Sequence, residues 1–239
     1  MLRIDISGPS DQRSSDVWIV IPAYREATVI EEVIGEVRAV FPHVVCVDDG
    51  STDGTGDAAL CAGAHVVTHP VNLGQGAAIQ TGVEYARARP GAALFATFDA
   101  DGQHRVDDVV TMIEHLRAVD ADLVVGSRFA GGPTQTPPLK RLVLRTAATL
   151  SRRNRSLGLT DAHNGLRVFN RRVADELDLT ISGMGHAGEF IALAHENGWR
   201  VAEVPVDIRY TDYSKAKGQP LLNGVNIVFD GLLRRRTTR

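Results

Sequence analysis

The chain has 239 residues, 44% of them hydrophobic and 23% charged, with two cysteines and a formal net charge of −3. These proportions suit one α/β domain, or one domain with a short appendage, and exclude wholesale disorder, a disulfide framework and a cysteine-rich metal knuckle. Charge is unevenly spread: from Arg209 onward seven Lys/Arg stand against Asp212 and Asp230, a net +5 that leaves −8 for the rest. One end therefore suits an anionic surface or ligand.

Residues 1–16 form a polar tail without the apolar core of a signal peptide. No stretch reaches the roughly 20 apolar residues of a spanning helix, so the chain is not expected to cross a bilayer by itself. A strand is predicted over 17–21, then a helix from Val29, Ile30, Val33, Ile34, Val37 and Val40, which recur at helical spacing. A second strand over 43–47 leads to a helix over 58–64, a short strand over 66–68 and a long helix over 76–88. A strand over 93–98, a helix over 106–119 and a strand over 123–125 follow. Cys46 in its apolar run and Cys61 in its helical run both read as buried thiols in a reducing compartment. Strands alternating with helices predict an α/β fold, a mostly parallel central sheet with helices on both faces.

The second half is less regular. A Gly/Pro/Thr loop occupies 131–138. A helix over 139–155 carries Leu139, Leu142, Val143, Ala147 and Leu150 on one face with six Lys/Arg and no acid. A strand is predicted over 201–208, and a helical stripe of Leu221, Val225, Val228, Phe229 and Leu232 runs near the C-terminus.

Ligands of open α/β sheets bind at the carboxyl ends of the strands, and the carboxylates cluster there. The second strand runs into Asp48, Asp49, Gly50 and Ser51, and the fourth into Asp99, Ala100, Asp101, Gly102 and Gln103. Asp99, Asp101 and Gln103 offer oxygens at alternate positions of a turn, a pattern that suits a hard divalent cation which completes its shell with substrate phosphates. A turn built of Asp and Gly with no ligand is the plainer alternative. The Gly-rich stretch 72–78 lacks the third glycine of a dinucleotide fingerprint, having Ile79 instead, and follows the third strand rather than the first. It reads as a tight turn into a helix, not as an NAD site. His104 and His163 read equally as polar loop residues or substrate contacts.

Residues 21–26 (IPAYRE), 47–55 (VDDGSTDGT) and the Asp99-Ala100-Asp101 triplet, in this order and spacing, resemble the inverting family 2 glycosyltransferases of GT-A fold. Gly126-Ser127-Arg128, residues 138–141, residues 161–167, Arg209 and Ser214-Lys215 resemble the dolichol-phosphate mannosyltransferase branch, which loads sugars onto polyprenyl phosphates. The resemblance spans about residues 17–217, leaving 218–239 as an amphipathic basic C-terminal helix. It implies that Pro22, Tyr24, Glu26, Val47 and Asp49 hold the nucleoside of a nucleotide diphosphate sugar. It further implies that Asp99, Asp101 and Gln103 hold Mg²⁺ or Mn²⁺, with Ala100 and Asp101 lining the diphosphate. Arg128, Arg141, Arg209 and Lys215 would face the donor and acceptor phosphates, with Asp161 and Arg128 at the reacting sugar. His163-Asn164 replaces the Thr-Ser pair common at that place, which leaves the sugar undefined. Arginines suit such a task because their planar forks bind phosphate oxygens bidentately.

The stripes over 139–155 and 221–236, both rich in arginine, suit either the interface of an anionic membrane or packing on the domain core. The first favours the membrane and the second reads both ways, and the enzyme is expected to be cytoplasmic and peripheral on the inner membrane face. Such stripes anchor marginally alone, which calls for a small integral membrane partner docking around Val225, Phe229 and Leu232. A nucleic-acid partner is not expected. The alternatives are a soluble GT-A transferase acting on a small phosphorylated or hydroxylated acceptor, and a silent nucleotide-sugar-binding subunit.

Overall fold

A computed structural model describes residues 14–130, 157–161, 164–183 and 185–209. The loop over 131–138, the helices over 139–155 and 221–233, the boundary at 217 and most of the N-terminal tail lie outside the described residues.

Strand β1 (Val17–Ala23) is buried along its whole length. Its unbroken apolar run suits a central parallel strand covered on both sides, where no polar face is needed. Around it β2 (His43–Asp48), β3 (His65–Thr68), β4 (Leu94–Thr97), β5 (Leu123–Ser127), β6 (Arg167–Asn170) and β7 (Val201–Pro205) form one seven-stranded sheet in the order β3-β2-β1-β4-β6-β5-β7. Strand β6 runs antiparallel to both β4 and β5, and every other pairing is parallel.

Successive side chains of a strand point to opposite faces, and the core divides accordingly. Ile19, Ile21 and Cys46 join one apolar cluster with Ile30, Val33, Ile34 and Val37 of helix α1 (Ile30–Arg38), Ala59 of α2 (Thr55–Cys61), and Val109, Met112, Ile113 and Leu116 of α4 (Val106–Ala118). Val20, Val45, Val47 and Phe95 join the other with Ala78, Ile79 and Val83 of α3 (Gln75–Arg87), Val173 of α5 (Arg171–Glu176) and Phe190 of α6 (His186–Glu196). Each fully buried Ile, Val or Phe contributes about 1.5–3 kcal/mol, so the sheet is held from both sides.

The elements expected in the first half are all present, with shifted ends. Helix α2 opens three residues early because Asp53 receives the Thr55 amide (3.2 Å) and so turns the chain there. The strand over 201–208 stops at Pro205, whose ring lacks an N–H donor. Three elements were not anticipated: β6, α5 and α6. Cys61 is a correction. It is exposed at the end of α2, a helix that buries only Thr55 and Ala59, whereas Cys46 is buried. Among the described residues no helix is long and apolar enough to cross a membrane.

At the end of the sheet opposite the carboxyl ends of β1 to β5, buried Asp122 ties the second half together. It accepts from Asn170 Nδ2 (2.9 Å) and the Arg200 amide (2.9 Å), and pairs with Arg172 (3.3 Å). Burial by itself would raise its pKa, but the Arg200 and Asn170 hydrogen bonds and the Arg200 charge hold it below the ordinary carboxylate range.

Candidate active site

The parallel pairing of β1 and β2 sets Pro22 beside Val47 and Ala23 beside Asp48, so the loops leaving these strands meet. They brace one another. The Arg25 amide donates to Ser51 Oγ (2.9 Å), the Glu26 amide to Thr55 Oγ1 (2.9 Å) and the Ala27 amide to Asp53 Oδ2 (3.3 Å). Ser51, Asp53 and Thr55 of the VDDGSTDGT motif thus hold a loop. Tyr24 stands on that loop 38% exposed, with the Arg25 guanidinium 5.2 Å from its ring centroid. An exposed ring face of this kind suits stacking on a planar base.

Val47 is buried among Val20, Ala78, Ile79 and Val83, so its side chain belongs to the core and only its backbone is left for a ligand. Asp49 is also buried, and its carboxylate accepts from His69 Nδ1 (2.7 Å), the Leu73 amide (2.8 Å) and the Gly74 amide (2.7 Å). If His69 is neutral, donating through Nδ1 makes Nε2 the acceptor of the Thr81 hydroxyl at 3.0 Å. Gly50 permits this fold-back: its φ is +75°, and a Cβ there would lie 2.5 Å from the Val71 carbonyl carbon. Asp49 therefore acts by shaping the Gly-rich loop, which is neither a dinucleotide turn nor a free tip.

That loop delivers Gln75, at the start of α3, to the second carboxylate group. Gln75 Nε2 donates to Asp99 Oδ1 (3.0 Å), while Asp99 Oδ2 pairs with His104 Nε2 (2.9 Å). His104 is itself buried and packs edge-on against Phe98, so it supports Asp99 and is not an exposed loop residue. Asp101 Oδ1 accepts the Gln103 amide (3.0 Å). Burial would raise the Asp99 pKa, but the hydrogen bond and charge of His104, with Arg167 and His186, hold it low. Burial first, then the Asp99 charge and more weakly Glu26, push Asp101 up to about 6. A carboxylate that neighbouring negative charge disfavours is a good seat for a cation. Each oxygen of a carboxylate has two lone pairs, so the bonds from Gln75 and His104 leave Asp99 able to ligate. Among the described residues no three His, Cys, Asp or Glu converge as a full metal cage. The donor set therefore fits a divalent ion whose remaining ligands come from a diphosphate. Ala100 lies buried between the two aspartates.

Arg128 and Asp161, 33 residues apart, meet in a bidentate ion pair: Nε to Oδ2 at 2.6 Å and Nη2 to Oδ1 at 2.7 Å, with the Arg128 amide also on Oδ2 (3.0 Å). Asp161 is buried, whereas the Arg128 side chain keeps 19% exposure. Between the two carboxylate centres lies Arg167 of β6, fully buried, its guanidinium 5.1 Å from the Phe190 ring. Burial lowers it to about 10, and the charges of Asp99 and Asp161 oppose that fall. Gly165 packs directly against the Asp99 carboxylate, where any Cβ would collide with it. Sequence reasoning missed Gln75, Arg167 and the role of His104. Only their nearness in sequence to the Gly-rich stretch, the Asn164-Gly165 turn and Gln103 pointed to them.

Arg209 is brought to the turn at 99–103 by its amide, which donates to Gln103 O (2.9 Å), but its guanidinium pairs with Glu36 of α1 (3.0 Å). Arg141, Lys215 and His163 lie outside the described residues. A cleft of 520 Å³ opens beside β3, lined by Asp48, Ser51, Asp57, Leu60 and Thr68 among others, and neither Asp99 nor Asp101 borders it.

Known proteins are similar to this chain in sequence and in fold. The chain is 32% identical over 222 residues, 87% of itself and 82% of the relative, to the polyprenol monophosphomannose synthase of Mycolicibacterium smegmatis. It is 29% identical over 237 residues, 89% of itself and 93% of the relative, to the UDP-N-acetylglucosamine–dolichyl-phosphate N-acetylglucosaminyltransferase of Methanococcus voltae. In fold it is similar to glucosyl-3-phosphoglycerate synthase of Mycobacterium tuberculosis, crystallised with Mn²⁺, UDP and glucosyl-3-phosphoglycerate, with a TM-score of 0.71, 18% identity and coverage of 95% of this chain and 84% of that one. The sequence profile described as Glycosyl transferase family 2 matches residues 18–178, most of the sheet and its carboxylate-bearing strand ends. The chain belongs to glycosyl transferase family 2.

Proposed function

We propose that this glycosyltransferase moves a hexose or N-acetylhexosamine, with inversion, from a UDP- or GDP-linked donor to a polyprenyl phosphate at the inner membrane surface, using Mg²⁺ or Mn²⁺. The observation that carries the reading is the state of Asp161. Its carboxylate receives three N–H donors from Arg128, so it is an orienting group and not a free base. A hydroxyl acceptor needs a base to take its proton. A phosphate monoester is already ionised at neutral pH and needs a cation to hold it, a role that suits Arg128, whose side chain keeps 19% exposure. The names of the two relatives favour the same acceptor class.

In this reading Tyr24 and the loop held by Asp49 receive the nucleoside. Asp99 and Asp101, with Gln103, hold the divalent ion. When bound, that ion neutralises charge developing on the leaving diphosphate, an effect of several kcal/mol. Gln75 and His104 fix the Asp99 carboxylate, and Gly165 admits the chain close beside it. Arg128 holds the acceptor phosphate for in-line attack on the anomeric carbon; Arg141 and Lys215 belong to the same phosphate-facing set, and Arg209 would join it only by leaving Glu36 of α1.

The test is a panel of radiolabelled UDP- and GDP-sugars with polyprenyl phosphate, followed by organic extraction and sedimentation with anionic liposomes. Label in the organic phase, abolished by chelator and restored by Mg²⁺ or Mn²⁺, is expected. Label transferred only to water-soluble acceptors, with no binding to liposomes, would overturn the acceptor and the membrane together.

A further inference from the structure

The Asp161–Arg128 pair does not hold itself in place. Asp161 belongs to the described segment 157–161, which forms no helix or strand. Its two terminal amides reach a single side chain, Glu203 of β7. Glu203 Oε1 accepts from the Thr160 amide (2.9 Å) and the Asp161 amide (2.9 Å), and Oε2 accepts from the Thr160 hydroxyl (2.8 Å). The Thr160 hydroxyl proton therefore points to Glu203, which leaves its oxygen to accept from Ser127 Oγ (2.8 Å). Ser127 Oγ in turn accepts the Phe129 and Ala130 amides (3.0 and 3.1 Å), the two residues that follow Arg128.

Every proton in this chain has a determined direction, and all run toward Glu203. Its carboxylate is the terminal acceptor of a network that joins the end of β5, the 157–161 segment and β7. The parallel register sets Glu203 beside Val125, two residues before Ser127, so the strand pairing itself aims the carboxylate at that turn. Charge-assisted bonds of this type are roughly twice as strong as neutral ones. Without Glu203 the Thr160 and Asp161 amides would lose the acceptor that the described residues give them.

We infer that Glu203 is a positioning residue for the transfer reaction: it fixes the backbone of Thr160 and Asp161, and through them the guanidinium plane of Arg128, without touching substrate. This rests on the reading that Arg128 holds the acceptor phosphate. The nucleoside end of the site, at β1 and β2, lies across β4 and β6 from this network and is independent of it.

Glu203→Gln keeps the size of the side chain but turns an NH₂ toward one of the donors. It is expected to raise the acceptor KM or lower kcat by about tenfold or more, with nucleotide Kd by calorimetry changed less than about twofold. In an Arg128→Ala background the same substitution is expected to add less than about twofold, because the group it positions is gone. A residue that merely supported the fold would give full additive loss in that background and would weaken nucleotide binding as well; either result overturns the inference. Thr160→Val, which removes only the hydroxyl relay, gives a milder loss of the same pattern and serves if Glu203→Gln folds poorly. A second readout needs no acceptor. In substrate-free protein the Arg128 Nε–H, bonded to Asp161 Oδ2 at 2.6 Å and followed by NMR, is expected to exchange slowly in the wild type and faster in Glu203→Gln and in Thr160→Val. Unchanged exchange in both would sink the role of Glu203. Failure of the wild type to label polyprenyl phosphate would instead sink the acceptor reading and leave the NMR comparison to decide on Glu203.

Discussion

Asp49 and Asp161 show how a carboxylate can matter to a ligand without meeting it. Each lies buried, and each binds main-chain amides of its own protein. Asp49→Ala is therefore expected to weaken nucleotide binding about tenfold, the effect of losing roughly 1.4 kcal/mol, while hydrogen exchange quickens at the Leu73 and Gly74 amides. Weaker binding with those amides still protected would mean that Asp49 touches the nucleoside directly. Asp101 differs, since the one bond described for its carboxylate is the short-range amide of Gln103. Asp101→Ala is expected to lower transfer at least about 100-fold with an unchanged circular dichroism spectrum, as for loss of a metal ligand. The cysteines give a third test. Burial, and then the charge of Asp48, raise the Cys46 thiol to about 12, and Cys61 is exposed. A thiolate reagent should label one cysteine in the native protein, Cys61, and both after denaturation. Rapid native labelling of Cys46 would contradict the packing of β2.

At the scale of elements, short and mixed segments are where sequence and structure part. Helix α5 has six residues, too few for a periodic pattern, and its N-terminus is set by Asn170, whose Oδ1 accepts the Val173 amide (3.1 Å). Asn170→Ala is expected to cost about 1 kcal/mol as a lost cap, and more because Asn170 Nδ2 also serves Asp122. Chemical denaturation would measure it, and a neutral substitution would rule out the cap. Helices α1, α3 and α4 were legible because their apolar residues repeat at a clear period over nine or more residues, and β1 because its apolar run is unbroken. Strand β6 was not, being four residues long with an arginine at its head. The site divides along the same line. Asp99, Asp101, Arg128 and Asp161 could be named from local motifs. That Arg128 and Asp161 bind each other, that Gln75 and His104 grip Asp99, and that Glu203 lies beneath them depend on strand order, and no spacing in the sequence encodes that order.

At the scale of the whole molecule, buried Asp122 is one source of acid sensitivity. Its folded pKa lies below the unfolded value, so the stability it contributes is present above the ordinary carboxylate range and is lost as pH falls through the folded pKa. Asp122→Asn should therefore lower the midpoint of thermal unfolding at pH 7, and the gap to wild type should close as the pH drops below about 4, near the unfolded aspartate value. A gap of equal size at pH 3 and pH 7 would show that shape and not charge is responsible.

The reversed strand β6 has a consequence for how the molecule comes into being. Because β6 is wedged between β4 and β5, the strand carrying Asp99 has no lateral neighbour on that side until residues 167–170 have been made and threaded into place. Strand β5, on the other side of β6, waits for the same event. A ribosome that has released residues up to 130 has issued every element of the nucleoside half, yet β4 and β5 would still present open edges, which invite pairing with other chains. Closing the sheet requires bringing together segments at least 70 residues apart, from Thr97 to Arg167, and non-local pairing of that kind is slow. The nascent half is thus the aggregation-prone species, and co-expressing residues 1–130 with 131–239 as separate pieces should give insoluble protein rather than a reconstituted enzyme.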